Sequence, residues 1–444
     1  MNTFTVTVQS INQQGLGIAK IDNKVIMISG GVLPNEVVIV EIYKITKQYD
    51  LAALRDTVTP SIHRVIAKCP SFGICGGCSL QHYDMNAQIN SKQQSLIDDL
   101  QHIGNVQAKT ILPIITGNKW HYRHKARLSV KYVYKKNSVL IGFHEKKSHF
   151  VTNMNECCIL PVAASNLISP LRALILELSI KDKIPQIELA VDNKLIVLIV
   201  RIMADLNSND EILIKQFIDK YNNSNDNLHQ LQFWLQPKGL DSIYQYYPLN
   251  IDNLSYELPE FNLTLPFLPH EFTQVNPEIN QKMVSLAIKL LDIKPHDYIA
   301  DLFCGIGNFT LAIANYAKHT LGIEGNATLV NRAKENAKYN QLESKVDYQL
   351  HDLFVINDTI LASLANYNKW LIDPARSGAF ELVKSLLLIK QKPEIIVYVS
   401  CNPASLARDS DILVNQCGYT LANVGIINMF PHTNHTESIA LFNL

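Results

Sequence analysis

DYIADLFCGIGNF, residues 297–309, decides how the C-terminal half of this 444-residue chain is built. A short apolar run with strand character stops at a turn holding Gly305 and Gly307, and a helix-like stretch follows. The same rhythm returns in HTLGIEG (319–325), VDYQLHD (346–352), KWLIDPA (369–375) and EIIVYVSC (394–401). Strand, turn and helix in repeated alternation predict a mostly parallel sheet with helices on both faces.

Acidic residues recur where these strands end: Asp301, Glu324, Asp352 and Asp373. Open α/β sheets bind ligands at that carboxyl edge. The glycine turn is not a G-x-G-x-x-G, so a dinucleotide is not specifically indicated, and four acids facing one crevice repel a phosphate. A cationic, adenosine-bearing ligand, S-adenosylmethionine, fits better, with Glu324 placed for ribose hydroxyls and Asp352 for an adenine edge. The fifth strand ends in VYVSCNPASLARD (397–409). Cys401 there precedes a helix expected from Pro403, whose N-terminal dipole and N–H groups favour a thiolate and hence a nucleophile. Cys304 and Cys417 have no base placed beside them and read as structural.

Upstream, CPSFGICGGC sets Cys69, Cys75 and Cys78 in a C-x5-C-x2-C spacing, and NECCILP adds Cys157 and Cys158. Glycines between the first three let them turn onto one centre, and four thiolates suit zinc or an iron-sulfur cluster. Residues 3–58 alternate as short strands with turns at Gly15, Gly30-Gly31 and Pro34-Asn35, the size of a small barrel. The net charge is zero, yet residues 1–150 carry 18 Lys+Arg against 9 Asp+Glu. Within 121–147, eight basic residues face one acid and are interleaved with Tyr, Phe and His, a pattern suited to phosphate contact and base stacking. With 47% apolar and 18% charged residues, long disorder is not expected. No apolar run approaches the roughly 18 residues of a membrane helix, and MNTFTVTVQS lacks the marks of a signal peptide. The expectation is a soluble cytoplasmic protein with no membrane partner, monomeric by default.

Several strings together resemble the RNA 5-methyluridine methyltransferases: CPxFGxCGGCxLQHY, FTQVN (272–276), DLFCGIGNF, DPARSGA (373–379), SCNPASLARD (400–409) and HTESIALF (435–442). GLGIAK and GGVLPNEVVIVEI resemble the TRAM domain, an OB-like RNA-binding module. The resemblance covers nearly the whole chain. It implies a multidomain α/β protein: a TRAM β-barrel over 1–58, a central α+β domain over 59–268 carrying a [4Fe-4S] cluster and an RNA-binding surface, and a Rossmann-like class I methyltransferase domain over 269–444. It further implies cluster ligation by Cys69, Cys75, Cys78 and Cys157, with Cys158 where proline is usual. Contacts to S-adenosylmethionine fall to Gln274, Phe303, Asn308, Glu324, Asp352 and Asp373.

Of the family's chemistry, the resemblance implies attack of Cys401 on carbon 6 of uracil and proton removal from carbon 5 by Glu437. His432 and His435 are further bases to test. The implied substrate is a specific uridine of 23S ribosomal RNA, held in part by Arg123, Lys125 and Arg127. The same reaction on another ribosomal or transfer RNA uridine, or an RNA-binding protein without catalysis, are the alternatives.

Overall fold

A computed structural model describes all residues except 1–2, 226 and 250–252. Strands Thr3–Thr7, Ser10–Ile11, Gly17–Ile21, Lys24–Ser29, Val37–Ile45 and Tyr49–Thr59 form one six-stranded sheet. Alternation places Val6, Ile26, Ile28, Val38, Val40 and Ala52 in its core. Glu36, fully buried, accepts from Leu33 N–H, Ser61 N–H and the Arg64 guanidinium, so an ion pair fastens the module to the segment that follows. A second six-stranded sheet is built from strands between Lys125 and Tyr247, with helices Ile168–Glu177 and Ser208–Asn222 packed on it.

Helix α1 (Met85–His102) begins where the Asp84 side chain caps the N–H groups of Asn86 and Ala87. Although it precedes the second sheet in sequence, its Leu96 and Leu100 lie in the core of the C-terminal unit. Helix α2 (Pro277–Leu291) starts with Asn276 as cap and proline in the first turn, where a missing N–H costs nothing.

The C-terminal sheet comprises β1 (Tyr298–Leu302), β2 (His319–Glu324), β3 (Val346–Leu350), β4 (Lys369–Ile372), β5 (Ile395–Ser400), β6 (Thr420–Ile427) and β7 (Glu437–Asn443). Their order is β3-β2-β1-β4-β5-β7-β6, with the two-residue strand Thr110–Ile111 added beside β6. The first five run parallel, as the alternating sequence predicts; β7 inserts antiparallel between β5 and β6. The direction of strand succession reverses between β1 and β4, which opens a crevice at their carboxyl ends. Helix α3 (Pro403–Asp411) follows β5, and its Leu406 and Ala407 share a core with α1. Among the described residues, no helix is long and apolar enough to cross a membrane.

Candidate active site

The glycine turn after β1 is shaped by three residues with positive φ: Phe303 (69°), Gly305 (55°) and Gly307 (94°). A Cβ added at Gly305 would meet no atom of the described residues within 4 Å, so the turn's outer face is open, while Gly307 is close-packed under the Tyr348 hydroxyl. Glu324, at the end of β2, is locked by accepting Gly305 N–H at 3.1 Å and Asn326 N–H at 3.0 Å. Asp352 accepts Phe354 N–H at 2.9 Å, and the Phe354 ring lies 5.4 Å from that of Phe303. The side chains of Asn308 and Asn280 exchange hydrogen bonds at 2.9 and 3.0 Å, and the Tyr256 hydroxyl donates to Asn308 at 3.0 Å. Gln274 lines the adjoining cleft with Tyr256 and Asn280. Gln274, Asn308, Phe303, Glu324, Asp352 and Asp373 thus come from one stretch before α2 and from successive strand ends around the crevice.

Asp301 departs from the expectation that all four acids line this edge. It lies within β1, is fully buried, and bonds the Thr310 hydroxyl beneath the glycine turn. Burial pushes it up to about 7, with the Thr310 bonds opposing and Glu324 adding to the rise. Three acids remain for a ligand.

Beyond β4, Asp373 is pushed up to about 7 by burial and by Asp301. Glu437, 3% exposed at the first position of β7, is raised well above the usual carboxylate range by burial and by Asp373. Cys401 adjoins them, and the expectation of a thiolate favoured by the helix terminus is not met. Burial, then Glu437 and Asp373, push the thiol up to about 11. The α3 cap is Asn402, one residue later, whose side-chain oxygen already accepts Ala404 N–H. Arg376 pulls Cys401 the other way. Its carbonyl accepts from the Asn402 amide at 3.0 Å and its guanidinium meets His435 Nδ1 at 3.2 Å. Sequence reading missed Arg376, though its place in DPARSGA beside Asp373 marks it. His432 is buried, stacked 4.0 Å from Trp120, and pushed down to about 4 by burial. It is a packed neutral ring.

Cys69, Cys75, Cys78, Cys157 and Cys158 line one enclosed cavity with Phe72, Phe143, Met154 and Ile159. Burial raises the thiols of Cys75, Cys78 and Cys157, the latter two to about 11 and about 12. Among the described residues, no group of three His, Cys, Asp or Glu side chains gathers tightly enough to hold a single metal ion. The three basic residues assigned to RNA point to different environments. Arg127 is exposed but paired to Glu188 at 2.8 Å. Lys125 is half-buried, bonded to Glu271 O and over the Phe267 ring. Arg123 has its Nε buried without a partner among the described residues.

A doubly wound sheet with acids at its switch point, and a thiol beside a carboxyl at the neighbouring strand ends, defines an α/β methyltransferase. The sequence profile of the tRNA (Uracil-5-)-methyltransferase family matches residues 84–443, that of the TRAM domain residues 2–54, and the chain belongs to the uracil-5-methyltransferase family. It is 48% identical over 435 residues to the Chromobacterium violaceum 23S rRNA (uracil(1939)-C(5))-methyltransferase RlmD, covering 98% of this chain and 84% of that one. The Nitrosospira multiformis protein of the same name is 46% identical over 99% of this chain and 98% of its own. The Pyrococcus abyssi tRNA (uracil-54, C5)-methyltransferase, solved with S-adenosyl-L-homocysteine, shares the fold with a TM-score of 0.73 at 20% identity, covering 99% of this chain and all of that one.

Proposed function

We propose that this protein methylates carbon 5 of uridine 1939 in 23S ribosomal RNA, using S-adenosylmethionine. The observation that carries the reading is the placement of Cys401 beside Glu437 at the mouth of an acid-lined crevice. Gln274, Phe303, Asn308, Glu324, Asp352 and Asp373 would hold the cofactor. The donor set fits a cation: three carboxyls, an amide already oriented by Asn280 and Tyr256, and an open glycine turn. When bound, S-adenosylmethionine supplies an electrophilic methyl group on a sulfonium.

Carbon 5 of uracil is too weak a nucleophile unaided. The Cys401 sulfur, once its proton has left, adds to carbon 6, and the electrons of the 5,6 double bond pass to the carbonyl at carbon 4 as an enolate. Carbon 5 then takes the methyl group. Glu437 removes the remaining proton from carbon 5, the double bond re-forms, and the thiolate leaves carbon 6. Glu437 does this as a carboxylate, a form that burial and Asp373 disfavour in the free protein and that is a stronger base once formed. The base must leave its stack to reach Cys401. RNA would be held by the first third of the chain, with Arg123, Lys125 and Arg127 as candidate contacts. We take the chain as three domains divided at 58 and 268, with α1 and the strand Thr110–Ile111 crossing from the central segment into the C-terminal unit. We take the protein to act as a monomer.

The cysteine cavity is the site of the [4Fe-4S] cluster in this reading, with Cys69, Cys75, Cys78 and Cys157 as ligands. A cubane spreads its cysteines over four irons, so its ligands line a cavity wall rather than converge on one point. Unmodified 23S RNA and tritiated cofactor test the whole: label should enter RNA with wild-type protein and not with Cys401→Ala, which should still bind S-adenosylmethionine. RNA binding without transfer by the wild type would make it a non-catalytic relative.

A further inference from the structure

Residues 428–436 connect β6 to β7 and deliver Glu437, yet the groups holding this turn come mostly from far away in sequence. Lys92 Nζ, on α1, donates to Asn428 Oδ1 and to Phe430 O, both at 3.1 Å. One turn earlier on the same helix, Gln88 accepts His432 N–H at 3.2 Å, while its amide donates to Leu80 O at 2.9 Å and Tyr83 O at 2.7 Å. The N–H groups of Ser79 and Leu80, directly after Cys78, both donate to His432 O at 2.9 Å. The Tyr122 hydroxyl donates to Pro431 O at 2.9 Å. His432 itself sits at φ 64°, a conformation that a non-glycine residue holds only when its surroundings impose it.

Lys92 is the unexpected member. It is 5% exposed, and among the described residues it has no carboxylate within ion-pair distance. Burial pushes its ammonium down to about 7. A buried amine without a counter-ion is costly, and an aliphatic residue of the same length would pack there at less cost. The same helix also packs Leu96 and Leu100 against Leu406 and Ala407 of α3, which starts two residues after Cys401. One face of α1 therefore meets the element that follows the nucleophile and another the turn that precedes the base.

We propose that Lys92 and Gln88 are positioning residues for Glu437, holding the 428–436 turn so that the carboxyl reaches the proton on carbon 5. The inference rests on Glu437 as the base. Its distinctive consequence falls late in the reaction: attack by Cys401 and methyl transfer proceed, and release stalls.

The test uses full-length Lys92→Met and Gln88→Met, which keep volume and remove the hydrogen bonds, with Glu437→Gln as the reference for a missing base. Leu96→Ala, a core truncation on the same helix, controls for loss of stability. In single turnover on unmodified 23S RNA, Lys92→Met should bind S-adenosylmethionine as the wild type does and transfer methyl at a similar rate. It should resolve the covalent intermediate at least about 10-fold more slowly, so that an RNA–protein adduct stable to denaturation accumulates. Adduct at the wild-type level in both methionine variants, or equal adduct in Leu96→Ala, overturns the inference. If Lys92→Met does not fold, Gln88→Met decides alone. Should Glu437→Gln trap adduct and the methionine variants not, only this inference falls; should the wild type fail to methylate, the reading of the site falls and takes it along.

Discussion

Cys401 and Glu437 face one another one step beyond the Ser400–Ser438 pair that closes the antiparallel ladder of β5 and β7. A carboxyl so placed is useful to a reaction that ends in proton removal, and it is a handicap to one that begins with a thiolate. The thiol stands at about 11, and Arg376 is the cation that opposes the rise.

Arg376→Met should therefore slow the first step. Loss of the cation raises the thiol further, lowers the thiolate fraction at any given pH, and moves the rate profile to higher pH. Single-turnover adduct formation should fall about 10-fold near neutrality and recover as pH rises, with cofactor affinity little changed. An unshifted pH profile would remove Arg376 from this role.

Cofactor binding should release protons. Asp373 stands at about 7 in the free protein and Glu437 higher, and a sulfonium beside them favours their charged forms. The sign follows: above about 7 Asp373 is already charged, and only the Glu437 proton remains to be displaced. Below it a proton must be displaced, and affinity should weaken up to about tenfold per pH unit. Calorimetry in two buffers of different ionisation enthalpy counts the protons. Asp373→Asn should bind more weakly at every pH and with a flatter dependence.

Protein purified without oxygen should be brown and carry about four irons and four sulfides per chain. Cys157→Ser should lose both and melt roughly 5–10 °C lower, since metal binding to a closed site is folding energy. Cys158→Ser should keep them. Colourless protein with one zinc per chain would replace the cluster.

Glu36→Ala should cost about 3–5 kcal/mol, because it leaves the Arg64 guanidinium and two backbone N–H groups without their acceptor. Urea unfolding followed by hydrogen exchange should show the N-terminal sheet opening first. Uniform loss of protection across the chain would argue against Glu36 acting locally.

Much of the catalytic unit was legible because its signals are local. Strand, turn and acid repeat within short windows, and Glu324 meets Gly305 across only nineteen residues. Asp301 misled because a strand residue is assigned to an end or an interior only by the turn packed above it. The thiolate expectation failed for a related reason: the helix start is written beside Cys401, whereas Glu437 and Asp373 reach it from other strands. Least legible was the turn ahead of Glu437. Gln88 and His432 are 344 positions apart, and nothing in either segment's composition announces the other.

That separation has a consequence for how the protein comes to be active. α1 and the cysteine loop leave the ribosome well before the turn they clasp, Lys92 waiting 336 residues for Asn428. β7, which brings Glu437 opposite Cys401, follows that turn directly. A nascent chain that has emerged only through β5 carries Cys401 and the cofactor strands without the group that frees the product. The clasp between early and late segments thus sets when the product-releasing group joins the nucleophile.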